Sequence, residues 1–298
     1  MPKFLSFQDY DQATKHLPRI SYLETMLTYA CTLSCKNCTN YSDYGMKGGY
    51  VKWANAKLSL DSWFDRIRVD CFGFMGGEPL MNPDLETWIR EFRREYPWTT
   101  IMLITNAQLF MKNLWILDIM EEVGMVYLKF SVHQPNADYI KQAKKAVLDR
   151  FDWIYGAEVK GRYFYKEKIL DFVVEDQPTF LKTYQGEYGS MKPYNNNPIQ
   201  AFKICTQQIC PLLYDGKLYK CSSVGMLGRV LADHNQINDV DWQPYLNQGL
   251  SLDCSDEELS AWANNFGKPA KVCKMCPTSA DNPYHPHYST VVSRINIY

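Results

Sequence analysis

Between residues 20 and 174 the chain alternates short runs of β-branched and aromatic residues with amphipathic stretches. This alternation restricts the possible folds more than any other feature. Strand patterns cover residues 20–28, 71–75, 99–105 and 125–132, and weaker ones cover 161–165 and 169–174. Helix patterns cover 61–69, with Ser59 or Asp61 as N-cap, then 83–96, 113–123 and 137–151. Repeated βα units with short connections predict a parallel sheet, doubly wound or rolled into a barrel. In either form the chemistry belongs at the C-terminal ends of the strands. Candidate functional residues do fall there: Cys31, Gly76 to Glu78, Thr105-Asn106 and Ser131 to His133. Beyond residue 185 the character changes. Residues 186–197 are dense in Gly, Asn, Pro and Tyr, and short segments with cysteines follow. The division expected is therefore 1–185 as the βα unit and 186–298 as a smaller module.

Lys and Arg number 32 against 33 Asp and Glu, a net charge of −1. Binding to a nucleic-acid backbone gets no support from that balance. Charges are spread through residues 1–19, and apolar runs such as 101–104 are too short to span a bilayer. A cytoplasmic protein without membrane contact is expected. In that compartment the ten cysteines are not expected to be disulfides. Eight of them fall into two groups, at 31, 35 and 38 and at 205, 210, 221, 273 and 276.

Cys31-Thr-Leu-Ser-Cys35-Lys-Asn-Cys38 places three thiols within eight residues, directly after a strand pattern. A closed zinc site needs a fourth ligand. A cubane iron–sulfur cluster held by three cysteines leaves one iron open to an outside ligand. With the motifs further on, the segment resembles the radical S-adenosylmethionine (radical SAM) superfamily. CxxxCxxC follows the first strand, Gly76-Gly77-Glu78-Pro79 resembles the GGE motif, and Thr105-Asn106 resembles TNG. Ser131-Val-His133 stands where such enzymes contact the ribose.

The resemblance implies an incomplete (β/α)6 TIM-like barrel of the α/β class. It further implies a [4Fe–4S] cluster on Cys31, Cys35 and Cys38, with S-adenosylmethionine held by Gly76, Gly77, Glu78, Thr105, Asn106, Ser131 and His133. Such a cluster cleaves S-adenosylmethionine to a 5′-deoxyadenosyl radical that abstracts a hydrogen atom from a substrate. An electron donor of flavodoxin or ferredoxin type is implied with it. Two positions depart from the pattern. Asn37 stands where an aromatic residue usually covers the adenine, and Ala107 replaces the glycine of TNG.

In the second group, Asp215-Gly216 between apolar segments reads as a hairpin turn that brings Cys205 near Cys221. Cys273-Lys-Met-Cys276 adds two thiols. Four such thiols suit either a zinc ribbon or a [4Fe–4S] site. Behind a radical SAM core, the order C-x10-G-x4-C followed by CxxC resembles the twitch domain, the shortened form of SPASM. This implies one auxiliary [4Fe–4S] cluster on Cys205, Cys221, Cys273 and Cys276 in a small C-terminal α+β domain, with Cys210 as an alternative ligand to Cys205. Cys71 and Cys254 are expected to be non-ligands, Cys71 as a core residue. His285 and His287 read as part of a solvated or docking tail, not a metal site.

The reaction favoured by this layout is a two-electron oxidation of a small molecule. Peptide or nucleoside modification by bond formation, epimerisation or lyase chemistry is the alternative. A non-catalytic zinc scaffold is the rival from another class.

Overall fold

The computed structural model describes residues 6–46, 49–134, 137–156, 162–177, 180–279 and 290–291. His285 and His287 lie outside them. In chain order the first elements are α1 (Phe7–Thr14), β1 (Arg19–Ile20), β2 (Leu23–Thr28), β3 (Leu33–Ser34), α2 (Trp53–Phe64), β4 (Arg68–Val69) and β5 (Cys71–Gly76). Next come α3 (Leu85–Glu95), β6 (Thr100–Thr105), α4 (Trp115–Val123), β7 (Val126–Val132), α5 (Asp138–Arg150), β8 (Ile154–Gly156), β9 (Arg162–Tyr165) and β10 (Leu170–Asp176). The remainder holds α6 (Pro198–Lys203), β11 (Leu212–Tyr214), β12 (Lys217–Tyr219), α7 (Ser222–Gly225), α8 (Leu227–Asp233), α9 (Asp256–Asn264) and β13 (Thr290–Val291).

One nine-stranded sheet runs β12-β11-β2-β5-β6-β7-β10-β9-β8. The strands from β11 through β10 in that order are mutually parallel. The sheet stays open, an α/β fold that corresponds to a partial TIM-like barrel. Two details differ from the sequence expectation. The edge beyond β10 is antiparallel: β9 pairs with β10, and β8 pairs with β9. The parallel strand beside β2 comes from the late hairpin, with Leu212 opposite Glu24 and Leu213 opposite Thr25. The hairpin turn is the expected one: Asp215 and Gly216 have φ of 48° and 72°, as a type I′ turn requires.

The helix expected at 61–69 begins instead at Trp53 and ends at Phe64, and residues 68–69 form β4. Its first turn is capped from a distance, since the Trp53 amide donates to Asp84 Oδ2 at 2.6 Å. Asn82 Nδ2 and Trp88 Nε1 hold the carbonyl of Val51 just before it. A cap thirty residues away leaves no local signal. Leu58, exposed at 78%, also blurs the apolar stripe.

Two cores lie on the sheet. The first packs α2 to α5 against it, with Phe72 stacked on Phe92 at 5.0 Å and Trp53 edge-on to Trp88. The second joins the C-terminal segment to the barrel, uniting Val224, Leu227, Val230, Trp242 and Met275 with Met26 and Tyr41.

Half-buried Arg93 ties the foot of the first core together. Its guanidinium donates to the carbonyls of Pro97 (2.8 Å), Thr99 (2.9 Å), Gly124 (3.1 Å) and Met125 (2.9 Å). Burial lowers its pKa to about 10. A lysine keeps the charge but cannot fork to two loops. Arg93→Lys is expected to lower stability by about 2 kcal/mol, seen as a reduced urea midpoint at unchanged slope.

Candidate functional site

The strand ends form one rim, and the residues after β2, β5 and β6 interlock there. Gly77 N donates to Thr28 O and Glu78 N to Ala30 O, both at 2.8 Å, so the GGE turn is built onto the segment leading into Cys31. Asn40 Nδ2 donates to Gly76 O at 2.9 Å from the other end of the cysteine loop. Glycines are required for this approach. A Cβ on Gly77 would lie 2.0 Å from Ala30 O, and one on Gly76, at φ 152°, 2.4 Å from Thr28 O.

Glu78 is fully buried. It accepts hydrogen bonds from Thr105 Oγ1 (2.6 Å), Asn106 N (2.8 Å) and Leu80 N (3.1 Å). Burial pushes the carboxyl up to about 7, and these donors oppose the shift. An ionised carboxylate has about four acceptor positions, so roughly one remains for a further donor. Asn106 Nδ2 then reaches Thr32 Oγ1 at 3.1 Å and Cys31 Sγ at 3.7 Å. Gly76, Gly77, Glu78, Thr105, Asn106 and Cys31 are thus brought into one buried knot.

Ser131 and His133 stand at the end of β7, one strand further along the sheet. His133 Nδ1 is 3.1 Å from Gln177 O, at the end of β10, and burial lowers the pKa of its ring. The departures from the motif acquire backbone reasons. Asn37 and Ala107 have φ of 62° and 63°, the left-handed region. Asparagine tolerates that region, whereas the alanine carries a strain a glycine would not.

Cys31, Cys35 and Cys38 belong to one loop, closed by Cys38 N to Cys35 O at 3.1 Å. Burial raises the thiols of all three, Cys31 to about 12 and Cys38 to about 11, and each of Cys31 and Cys35 feels the neighbouring sulfurs. Leu33 N donates to Cys31 Sγ at 3.5 Å. Three thiols on one short loop, with an N–H donor on the Cys31 sulfur, suit a thiolate-bound group whose binding displaces the protons. The backbone of β13 pairs with β3 inside this loop.

Further along the chain, Cys205, Cys221, Cys273 and Cys276 line one small cavity with Phe202 and Val224. Cys210 does not line it. Its thiol is instead raised by burial and by the carboxylate of Glu24. Gln207 N donates to Cys205 Sγ at 3.3 Å and Ala270 N to Cys273 Sγ at 3.4 Å. This all-thiol donor set suits zinc or an iron–sulfur cluster. Among the described residues no group of three or more His, Cys, Asp or Glu side chains is placed to hold a single metal ion.

Cys254 stands apart, before the N-cap of α9, with Sγ 3.5 Å from Arg66 Nη1. Cys71 opens β5, where strand alternation turns it away from the face that buries Phe72 and Phe74.

Sequence reading passed over the sheet's other face. Glu24, 2% exposed, accepts from Tyr22 Oη at 2.9 Å, while its Oε1 has no hydrogen-bond partner among the described residues. Burial pushes this carboxyl up to about 8, and the charge of Lys129 opposes it. Lys129 itself pairs with Glu175 at 2.5 Å. A single buried acid inside a strand has no motif to announce it. A separate cavity of about 260 Å³ opens where β2 and β11 diverge, walled by Tyr29, Ser59, Tyr214 and Asp215. No cysteine or strand-end motif residue lines it.

Residues 25–157 match the family model of the radical SAM superfamily. The matched segment begins in β2, ends just after β8, and contains the cysteine loop and the strand-end motifs. Similar solved structures include BtrN in complex with AdoMet and 2-DOIA, at 16% identity and TM-score 0.47, covering 90% of this chain and 98% of that one. Native anSMEcpe with bound AdoMet and Cp18Cys peptide is 17% identical at TM-score 0.38, covering 58% and 54%. Streptococcus suis SuiB bound to precursor peptide SuiA is 17% identical at TM-score 0.34, covering 43% and 28%. No helix among the described residues is long and apolar enough to cross a membrane.

Proposed function

We propose that this chain cleaves S-adenosylmethionine reductively at a cluster held by Cys31, Cys35 and Cys38. We further propose that it removes a hydrogen atom from a small-molecule substrate, with a second iron–sulfur cluster on Cys205, Cys221, Cys273 and Cys276. The observation that carries this reading is the buried knot that joins Cys31 to Glu78, Thr105 and Asn106 at the strand ends. When bound, the clusters and S-adenosylmethionine supply one-electron chemistry: a carbon radical able to take a hydrogen atom, and a centre able to accept an electron in a net two-electron oxidation.

The chain's own residues do the rest. Glu78 keeps roughly one acceptor position for the ammonium group of the methionine moiety, and the glycines keep the turn close to the cysteine loop. Ser131 and His133, at the end of β7 on the same rim, would hold the ribose. Lys129, Glu175 and Glu24 give the other face of the sheet the polar groups that a hydroxyl- or amine-bearing substrate requires.

Protein purified without oxygen is expected to be brown and to carry about eight irons per chain, two cubanes. With dithionite and S-adenosylmethionine it is expected to yield 5′-deoxyadenosine. A colourless protein that holds zinc in place of iron would sink the reading. Cys221→Ser is expected to reduce iron to about four per chain, the first cluster alone, with cleavage diminished but measurable. Unchanged iron removes the second cluster from the proposal.

A further inference from the structure

The two cysteine sites are joined by one chain of hydrogen bonds, buried at Ser222, Ser223 and Tyr41 and half-buried at Gln207. At the C-terminal site, Gln207 N donates to Cys205 Sγ at 3.3 Å. The side chain of Gln207 continues inward: Nε2 donates to Ser222 Oγ at 2.6 Å, and Oε1 accepts from Ser223 Oγ at 3.1 Å. Both serines directly follow Cys221, which caps α7. Ser222 Oγ donates to the carbonyl of Thr39 at 3.4 Å, and Ser223 Oγ, 3.2 Å from the same carbonyl, shares its one proton between Thr39 O and Gln207 Oε1. Thr39 is the residue after Cys38. A second strand of the bridge runs through Tyr41, whose amide donates to Cys38 O at 2.9 Å and whose hydroxyl donates to Ser223 O at 3.2 Å. Ser222 and Tyr41 are 0% exposed and Ser223 is 1% exposed.

Water cannot replace the partners of Ser222, Ser223 and Tyr41 at such burial, so a shift of the Thr39 segment leaves a polar group unpaired unless the two serines follow. Cys205 and Cys221 are two of the four thiols a bound group would draw together in the C-terminal cavity. Each is within two residues of the bridge, and the far end of the bridge is the residue next to Cys38.

We propose that Gln207, Ser222 and Ser223 are positioning residues that couple the two sites, so that filling the C-terminal site fixes the loop that presents Cys38. This rests on the reading that the C-terminal site holds a cluster. Coupling of this kind is reciprocal, and its usual size changes an equilibrium about five- to 150-fold.

The test compares emptying the C-terminal site by Cys276→Ser, a thiol off the bridge, in two backgrounds: the natural chain and a Ser222→Ala, Ser223→Ala chain. Anaerobic hydrogen–deuterium exchange at residues 38–41 and the electron paramagnetic resonance line shape of the reduced first cluster are the readouts. In the natural chain, Cys276→Ser is expected to speed exchange about tenfold and to alter the line shape. In the double-alanine chain only the Tyr41 Oη to Ser223 O bond still joins the sites, so exchange starts faster and emptying the C-terminal site adds a much smaller change. Should the double variant not load both clusters, Gln207→Leu removes the Cys205 arm of the bridge while keeping the amide on Cys205, and a response smaller than that of the natural chain is expected.

No response in the natural chain, or an equal response in both backgrounds, overturns the coupling. A natural chain holding only about four irons overturns it too. In that case the failure is seen in the iron count before any exchange is measured, and it belongs to the cluster reading.

Discussion

Cys35→Ala is expected to reduce 5′-deoxyadenosine formation to background while the chain stays folded. Cys35 is 6% exposed and lies in the loop closed by the Cys38 to Cys35 hydrogen bond. Replacing its sulfur by hydrogen removes apolar contact worth on the order of 1 kcal/mol, too little to unfold a domain of ordinary stability. On the proposed reading it removes one of the three cysteines that hold the first cluster. A cubane on two cysteines is not retained, so iron should fall to about four per chain, those of the C-terminal site. Urea unfolding checks the fold, iron analysis the ligand, and chromatography of the nucleoside product the chemistry. Cys71→Ala and Cys254→Ala serve as matched controls. One begins a core strand and the other sits against Arg66, and neither change should alter iron. Retained cleavage in Cys35→Ala would contradict the ligand role. Lost iron in either control would show a ligand assigned to the wrong cysteine.

How far this picture can be read from the chain depends on the range of the interaction concerned. Strands β5, β6 and β7 and helices α3, α4 and α5 were legible within a few residues, because each carries its own periodicity and stop signal. Gly124 after α4 and Asp215-Gly216 in the hairpin are such signals, all with positive φ. The strand-end motifs were legible because their residue types are rare together. The start of α2 was not, since its cap is Asp84, supplied by a segment that α2 itself precedes.

The place of the late hairpin in the main sheet was equally hidden. Pairing of Leu213 with Thr25 joins positions 188 residues apart, and nothing near either one announces the other. Tyr41, Gln207, Ser222 and Ser223 show the same limit for polar groups. Each is a common residue type with no spacing rule, and burial alone gives them meaning. At Ala107 the motif and the backbone disagree, for a residue with a Cβ occupies a left-handed position that glycine would fill without strain.

The second large effect is expected from a single methyl group. Gly77→Ala would place a Cβ 2.0 Å from Ala30 O, 2.5 Å from Ala30 C and 3.0 Å from Cys31 N. All three are backbone atoms, so no side chain can rotate away, and the segment entering the cysteine loop must move. Overpacking of this kind costs about 3 kcal/mol, the upper part of the usual range. The movement also acts on the Glu78 N to Ala30 O bond and on the register of Cys31 beside Asn106. Gly77→Ala is therefore expected to lower the urea midpoint and, in the protein that remains folded, to lose the first cluster while about four irons stay at the C-terminal site. Gly228→Ala is the contrasting change. That glycine lies in α8, and its added Cβ meets only Leu246 Cδ2 at 3.7 Å. Helix propensity should make this variant more stable by about 0.5 to 1 kcal/mol, with iron unchanged. If Gly77→Ala keeps full iron and stability, the GGE turn does not press on the cysteine loop as the geometry requires, and the knot at the strand ends loses its role in holding Cys31.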